Sequence, residues 1–169
     1  LFKVCTLRHL PIFTFINKLD RDAMDTFDLL DDIEKELGIA TCPVNWPIGS
    51  GKGFQGVYDR NSQTVITYSD TEKGTKEGVS EVVSVSDESA MRNLIGDDAA
   101  DKLLGEMELL DGAGADFDLD AVRAGELTPV CFGSALTNFG VEIFLKHFLD
   151  MTTSPLPREA TNGAGERIT

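Results

Sequence analysis

The chain is poor in the residues from which metal and redox centres are built. Its three cysteines, Cys5, Cys42 and Cys131, stand far apart. None has the paired spacing that zinc sites and dithiol redox centres use, so reduced, mostly buried thiols are expected. Of the two histidines, His147 has no cysteine at ligand spacing and His9 has only Cys5 one helical turn away. Packing explains both better than a metal. No stretch approaches the roughly 18 consecutive apolar residues of a membrane span. The start lacks the charged, apolar and cleavable order of a signal peptide. A cytoplasmic protein without membrane contact is expected.

Basic residues are scarce as well. Fifteen Lys and Arg against twenty-nine Asp and Glu leave a net charge of −14. This is the opposite of a phosphate-backbone footprint, and it argues against direct, sequence-specific nucleic-acid binding. The imbalance is local: from Asp97 to Glu126 there are ten acids and two bases, Lys102 and Arg123, a local charge of −8. Such a window is either a solvated face or a surface that meets a basic protein. An initiating methionine is missing too. The chain opens on the apolar run Leu1-Phe2-Lys3-Val4-Cys5-Thr6-Leu7 and closes in the polar, glycine-containing stretch Thr161 to Gly165, as an excised internal piece would. Its 169 residues suffice for one core, or for one domain carrying a smaller inserted lobe.

What is present reads as alternating strand and helix. The first nine residues continue a helix, and Pro11-Ile12-Phe13-Thr14-Phe15-Ile16 is an apolar, β-branched and aromatic run suited to a strand buried on both faces. It leads into Asn17-Lys18-Leu19-Asp20. A helix follows, with Phe27, Leu30, Ile33 and Leu37 at helical spacing and Gly38 where a left-handed cap belongs. Cys42 to Ile48 is a second apolar segment, broken by Pro43 and Pro47, and the glycines at 49, 51, 53 and 56 mark a boundary.

Beyond that boundary, Gln55 to Asp59, Thr64 to Ser69 and Val79 to Val85 read as strands of a small antiparallel sheet, the last two joined by a polar loop over Asp70 to Thr75. Asp87 to Ile95, Asp97 to Leu110 and Leu119 to Ala124 read as helices. Pro129 to Phe132 is another buried-type strand. A loop over Gly133 to Leu136 leads to a final helix with Val141, Phe144, Leu145, Phe148 and Leu149 on one stripe. The fold class expected is α/β: the C-terminal part of a doubly wound domain, with an inserted small α+β lobe. The division is 1–48 for the first part of that domain, 49–128 for the lobe, 129–157 for the domain resumed, and 158–169 for a linker.

Two glycine motifs fail on context. Gly51-Lys52-Gly53-Phe54-Gln55-Gly56 fits G-x-G-x-x-G, but strand-like residues follow where a dinucleotide site needs a helix N-terminus. Ser50-Gly51-Lys52 echoes a P-loop, yet Gly53 stands where a magnesium-binding Ser or Thr belongs and Trp46 where the first glycine belongs. Asn17-Lys18-Leu19-Asp20 survives, because it ends a buried strand, where doubly wound sheets bind ligands. The Asp20 carboxylate has only acceptors, so it can take the ring N1–H and the exocyclic amino group of guanine together. Adenine offers neither in that arrangement. Lys18 can lay its stem over the base, and Asn17 can hold the loop and approach N7. Ser134-Ala135-Leu136 also follows a buried strand, with an Ala135 N–H to receive guanine O6 and a Ser134 hydroxyl to brace the loop. Taken singly, each motif is also an ordinary turn; in this order they predict a guanine pocket.

Those motifs, with the lobe between them, are similar to the translational GTPases. Within that group, Thr14 to Asp22, Trp46-Pro47-Ile48-Gly49 with Gly56-Val57-Tyr58, and Phe132 to Val141 resemble the peptide chain release factor 3 family over nearly the whole chain. Elongation factor G shares the layout, including an exit like Ser154-Pro155-Leu156, and a non-catalytic module binding a ribosomal protein is a further alternative. The resemblance implies a guanine-binding set of Asn17, Lys18, Leu19, Asp20, Ser134, Ala135 and Leu136, and GTP or GDP as ligand. It implies action on the ribosome during termination, near the large-subunit stalk proteins, to help the stop-codon-reading release factor leave. The P-loop, the switch threonine that binds Mg2+ and the Asp-x-Pro-Gly-His segment of such enzymes have no counterpart in this chain. Mg2+ and catalysis are therefore expected of a longer parent only, and an inactive fragment is expected here.

Overall fold

The computed structural model describes residues 1–8, 10–68, 79–152, 160–161, 163 and 167–168. His9, the Asp70 to Thr75 loop, the Ser154-Pro155-Leu156 exit and most of the 158–169 linker lie outside the described residues. In chain order the elements begin with α1 (Phe2–Leu7), β1 (Thr14–Ile16), α2 (Thr26–Leu37), β2 (Ala40–Pro43) and β3 (Asn45–Ile48). Then come β4 (Gly56–Asp59), β5 (Thr64–Tyr68), β6 (Val79–Ser84), α3 (Glu88–Ile95), α4 (Asp97–Ala113) and α5 (Leu119–Ala124). The chain continues through β7 (Leu127–Phe132), α6 (Val141–Met151) and the short pair β8 (Ala160–Thr161) and β9 (Arg167–Ile168), which pair antiparallel within the expected linker.

Two sheets organise these elements. In the first, β7 lies between β1 and β2 and pairs parallel with both, so the chain returns to the middle of this sheet after leaving it for more than eighty residues. Every residue of β7 is buried, as a central parallel strand requires. The second sheet is antiparallel, in the order β3-β4-β5-β6, and α3 and α4 pack beside it. The helices obey local signals. Asp25 caps α2 by accepting from the Phe27 N–H at 2.9 Å, Gly38 closes it in the left-handed region, and Asp87 and Asp118 cap α3 and α5 in the same way as Asp25.

The segment from Cys42 to Ile48 splits between the sheets. Cys42 and Pro43 stay in the parallel sheet, while residues 45–48, grouped by sequence with the first unit, pair with β4 in the second. Pro47 fits there because β3 is an edge strand whose outer side requires no ladder donor. The G-x-G-x-x-G run forms one turn of 3-10 helix at Gly51–Gly53 and then strand β4. One continuous core joins the two sheets. Trp46 is fully buried in it, with ring centroids 4.9 Å from Phe27 and 5.5 Å from Phe132. Its indole N–H donates to Glu106 of α4 at 2.8 Å.

Helix α6 is rotated from the sequence expectation. Ile143, His147 and Met151 form its buried line, Phe144 and Phe148 are half-buried, and Leu145 and Leu149 are 51% and 73% exposed. The cause lies in three neighbours. His147 is drawn inward by Asp59 at the end of β4, with Nε2 and Oδ1 3.1 Å apart, while Phe144 packs on Phe15 at 5.2 Å and Phe148 on Phe13 at 5.0 Å.

Candidate guanine-recognition site

The site forms where β1 and β7 end side by side. Register pairs Ile16 with Phe132, so the loops after these strands leave the sheet together. Gly133 is their backbone junction. Its N–H donates to the Ile16 carbonyl at 3.0 Å, and its own carbonyl accepts from the Leu19 N–H at 3.2 Å. No side chain fits there, since a Cβ would fall 2.3 Å from the Phe139 carbonyl oxygen and 2.9 Å from the Phe15 ring.

Across this junction the two motifs bond directly. The Ser134 hydroxyl donates to Asp20 Oδ1 at 2.6 Å, and the Ala135 N–H donates to Asn17 Oδ1 at 2.9 Å. Asn17 Oδ1 also accepts from the Lys18 N–H at 2.8 Å, which holds Lys18 in the left-handed region at φ 71. Such a conformation costs a lysine on the order of 1 kcal/mol, and it persists because the surrounding bonds over-determine it. Ser134 is buried, and its backbone exchanges both hydrogen bonds with Phe139, which closes the second loop. Asp20 does not cap the following helix. That role belongs to Asp25, five residues on, and the hydrogen bond given for the Asp20 side chain is the one to Ser134.

The seven expected residues divide by what they offer. Asn17, Lys18 and Ala135 are exposed and Asp20 is half-buried, so their polar atoms face the open end of the sheet. Leu19 is buried and contributes its backbone, accepting from the Gly51 N–H at 3.0 Å. The Leu136 side chain is 60% exposed. Ser134 occupies one lone-pair direction of Asp20, which leaves the carboxylate able to accept two donors from one edge of guanine. The Ala135 N–H is shared differently from the expectation, since Asn17 Oδ1 already accepts it; O6 would join that bond as a second acceptor. Nearby, Thr137 Oγ1 is the one buried side-chain polar atom without a hydrogen bond among the described residues.

Sequence reasoning missed the inserted lobe's part in the site. Asn45 at the start of β3 is fully buried and mimics a strand edge, accepting from the Phe132 N–H at 2.7 Å and donating to the Phe132 carbonyl at 3.0 Å. Its partner is 87 residues away, so no local pattern could reveal it. A cavity of about 280 Å³ beside the first loop is lined by Leu19, Met24, Pro47, Lys102 and Glu106 among others, and it does not include Asp20 or Ala135. A second, of about 360 Å³, lies by Cys42, Arg60, Phe117 and His147, away from the loops. Burial pushes the Cys131 thiol up to about 12 and raises Cys42 as well, so both are inert packing groups at neutral pH. Among the described residues no group of three or more His, Cys, Asp and Glu could hold a metal ion, and no helix is long and apolar enough to cross a membrane.

Known proteins resemble this chain over most of its length. The family described as elongation factor Tu GTP binding domain matches residues 1–156. A protein named peptide chain release factor 3 from Cyanothece sp. is 49% identical over 97% of this chain and 30% of its own length. Proteins of the same name from Trichormus variabilis and Symbiobacterium thermophilum are 50% and 47% identical, over 92% and 99% of this chain and 28% and 31% of theirs. The chain therefore spans under a third of the length of these curated relatives. A crystal structure of a protein from Thermus thermophilus superposes with a TM-score of 0.58 at 23% identity, over 90% of this chain and 24% of that one, and so shares the α/β fold. With the family match running over nearly its whole length and two strand-end loops bonded to each other around Asp20, this chain belongs to the elongation factor Tu GTP binding domain family.

Proposed function

We propose that this chain is the base-reading part of a ribosome-associated GTPase of translation termination, which promotes departure of the stop-codon-reading release factor. One observation carries the reading of the site: loops 114 residues apart in sequence are locked together by the Ser134–Asp20 hydrogen bond, with the carboxylate at the open strand ends. Asp20 accepts guanine N1–H and the 2-amino group, Ala135 N–H meets O6, and Asn17 and Lys18 shape the loop and cover the base. The name carried by the relatives favours termination over the elongation factor G-like alternative. Phosphate binding, Mg2+ and hydrolysis fall to residues of a longer cytoplasmic protein, in which the lobe opens at Asn45 and ends before β7.

The Asp20→Asn variant of the full-length protein tests the base assignment. An amide puts a donor opposite a guanine donor, and a mismatch of that kind is worth roughly 10⁴-fold in discrimination at well-built sites. Xanthine has a 2-oxo acceptor there, so the variant is expected to prefer xanthosine over guanosine nucleotides in a competition assay. A variant that still prefers guanosine nucleotides would mean that the base is read elsewhere.

The lobe's acidic face is the proposed contact with a basic ribosomal protein surface, such as one at the large-subunit stalk. Its free charges differ from a simple count, because Arg92 binds Glu88 and Asp101 at 2.7 Å each and Asp97 at 3.5 Å. Asp98 and Glu108 are exposed and form no ion pair among the described residues. Reversing these two to lysine is expected to slow ribosome-stimulated hydrolysis several-fold at low salt and less at high salt, since screening weakens steering. An unchanged rate at low ionic strength leaves only a solvated face.

A further inference from the structure

The second base-reading loop is gripped from the side by the inserted lobe. Phe139, the residue whose backbone closes that loop on Ser134, lies between two lobe aromatics, with ring centroids 4.8 Å from Tyr68 and 5.4 Å from Phe54, both stacked. The Tyr68 hydroxyl accepts from the next residue's N–H, that of Gly140, at 3.1 Å. Tyr68 ends β5 of the antiparallel sheet, and Phe54 lies in the connection between β3 and β4 of the same sheet. The same sheet holds the strand before the loop through Asn45 of β3, and the turn joining β3 to β4 reaches the first loop through the Gly51 N–H. Every one of these contacts comes from the segment inserted between the two motifs.

We propose that Tyr68, stacked on Phe139 and bonded to Gly140, is a positioning residue for guanine selectivity, through which the lobe sets how firmly Ser134 holds Asp20. The proposal rests on the base-reading assignment above. Its chain of action is short. The Tyr68 ring and hydroxyl fix Phe139 and Gly140; Phe139 exchanges both backbone hydrogen bonds with Ser134; and Ser134 donates to Asp20. Asp20 is the group that would read the 2-amino substituent. A looser loop would therefore weaken the reading of that substituent by Asp20 together with the hold of Ala135 on O6, and only the first of these separates guanosine from inosine; a partner pressing on the lobe would alter nucleotide release along the same path.

The test compares Tyr68→Ala and Tyr68→Phe in the full-length protein, using guanosine diphosphate and inosine diphosphate, which differ only by the 2-amino group. Loss of one aromatic stack and one hydrogen bond is expected to speed guanosine diphosphate release roughly tenfold in Tyr68→Ala. The preference for guanosine over inosine diphosphate should fall about threefold, because the carboxylate is less firmly oriented. Tyr68→Phe keeps the stack and should recover most of both effects. A generally destabilised protein would lose both nucleotides equally and keep the preference ratio, which overturns the proposal, as does an unchanged release rate in Tyr68→Ala. Asp20→Asn is measured alongside. If it switches to xanthosine while Tyr68→Ala does nothing, the clamp fails and the base assignment stands; if it does not switch, the assignment itself fails.

Discussion

The two sheets of this chain meet their burial requirements in different ways. In the antiparallel sheet β5 alternates, with Val65 and Thr67 buried and their neighbours half-exposed, so one packed face is enough there, while β3 and β4 are buried throughout. Its own helices supply that face through Met91, Ile95, Ala100, Leu103 and Leu110. The parallel sheet needs cover on both faces and receives it fully only at β7. Its edge strand β1 is half-buried throughout, α1 buries no residue, and Leu1, Leu7, Leu145 and Leu149 are exposed. A lobe that closes on itself and a sheet that looks for neighbours have been joined at Trp46, Asn45 and the Phe139 stack.

That contrast can be broken by substitution. Trp46→Ala should be the most damaging, at roughly 4 kcal/mol, because it empties a fully buried aromatic site shared by both sheets. The opposite arm is Leu149→Ser, expected within about 0.5 kcal/mol of the parent chain, since the side chain is already largely in solvent. Denaturant unfolding of the two variants checks both arms, and equal losses would mean that α6 is covered in a way its burial does not suggest. Between these extremes lies the Asp59–His147 pair, which ties β4 to α6. Burial alone would raise the Asp59 carboxyl, but hydrogen bonding and charge from His147, with further bonds from Ser62 and the Asn61 backbone, bring it below its ordinary value of 3.8. A lowered native pKa stabilises the fold above the unfolded value and loses that contribution as pH falls through the native one. Asp59→Asn should therefore cost about 2 kcal/mol at pH 7, as for a hydrogen bond to a charged group. The gap to the parent chain should narrow as pH drops below 3.8, which thermal melts across that range would show.

The site was more legible than its support. Asn17-Lys18-Leu19-Asp20 and Ser134-Ala135-Leu136 stand out because each follows an apolar strand, β1 or β7, and carries groups suited to a base edge. Gly38 marks a helix end, since capping is settled within a few residues. The stripe on α6 misled, because Leu145 and Leu149 satisfy the same helical period as Ile143, His147 and Met151. Periodicity names a possible face; which face is used depends on what the rest of the chain offers. Likewise the break between Pro43 and Asn45 could not be read from an apolar run that suits either sheet equally.

By itself, then, the sequence determined most of the local elements and the two strand-end motifs with a second unit between them, because backbone propensity, capping and turn chemistry act over a few residues. Only the tertiary structure decided that β7 enters between β1 and β2, that Asn45 completes its edge, that Arg92 neutralises part of the acidic face, and that Tyr68 and Phe54 hold Phe139. Those contacts join residues far apart in the chain. Their energy comes from burial and from satisfying particular polar atoms, which depends on where the backbone brings them and not on the order in which they are written.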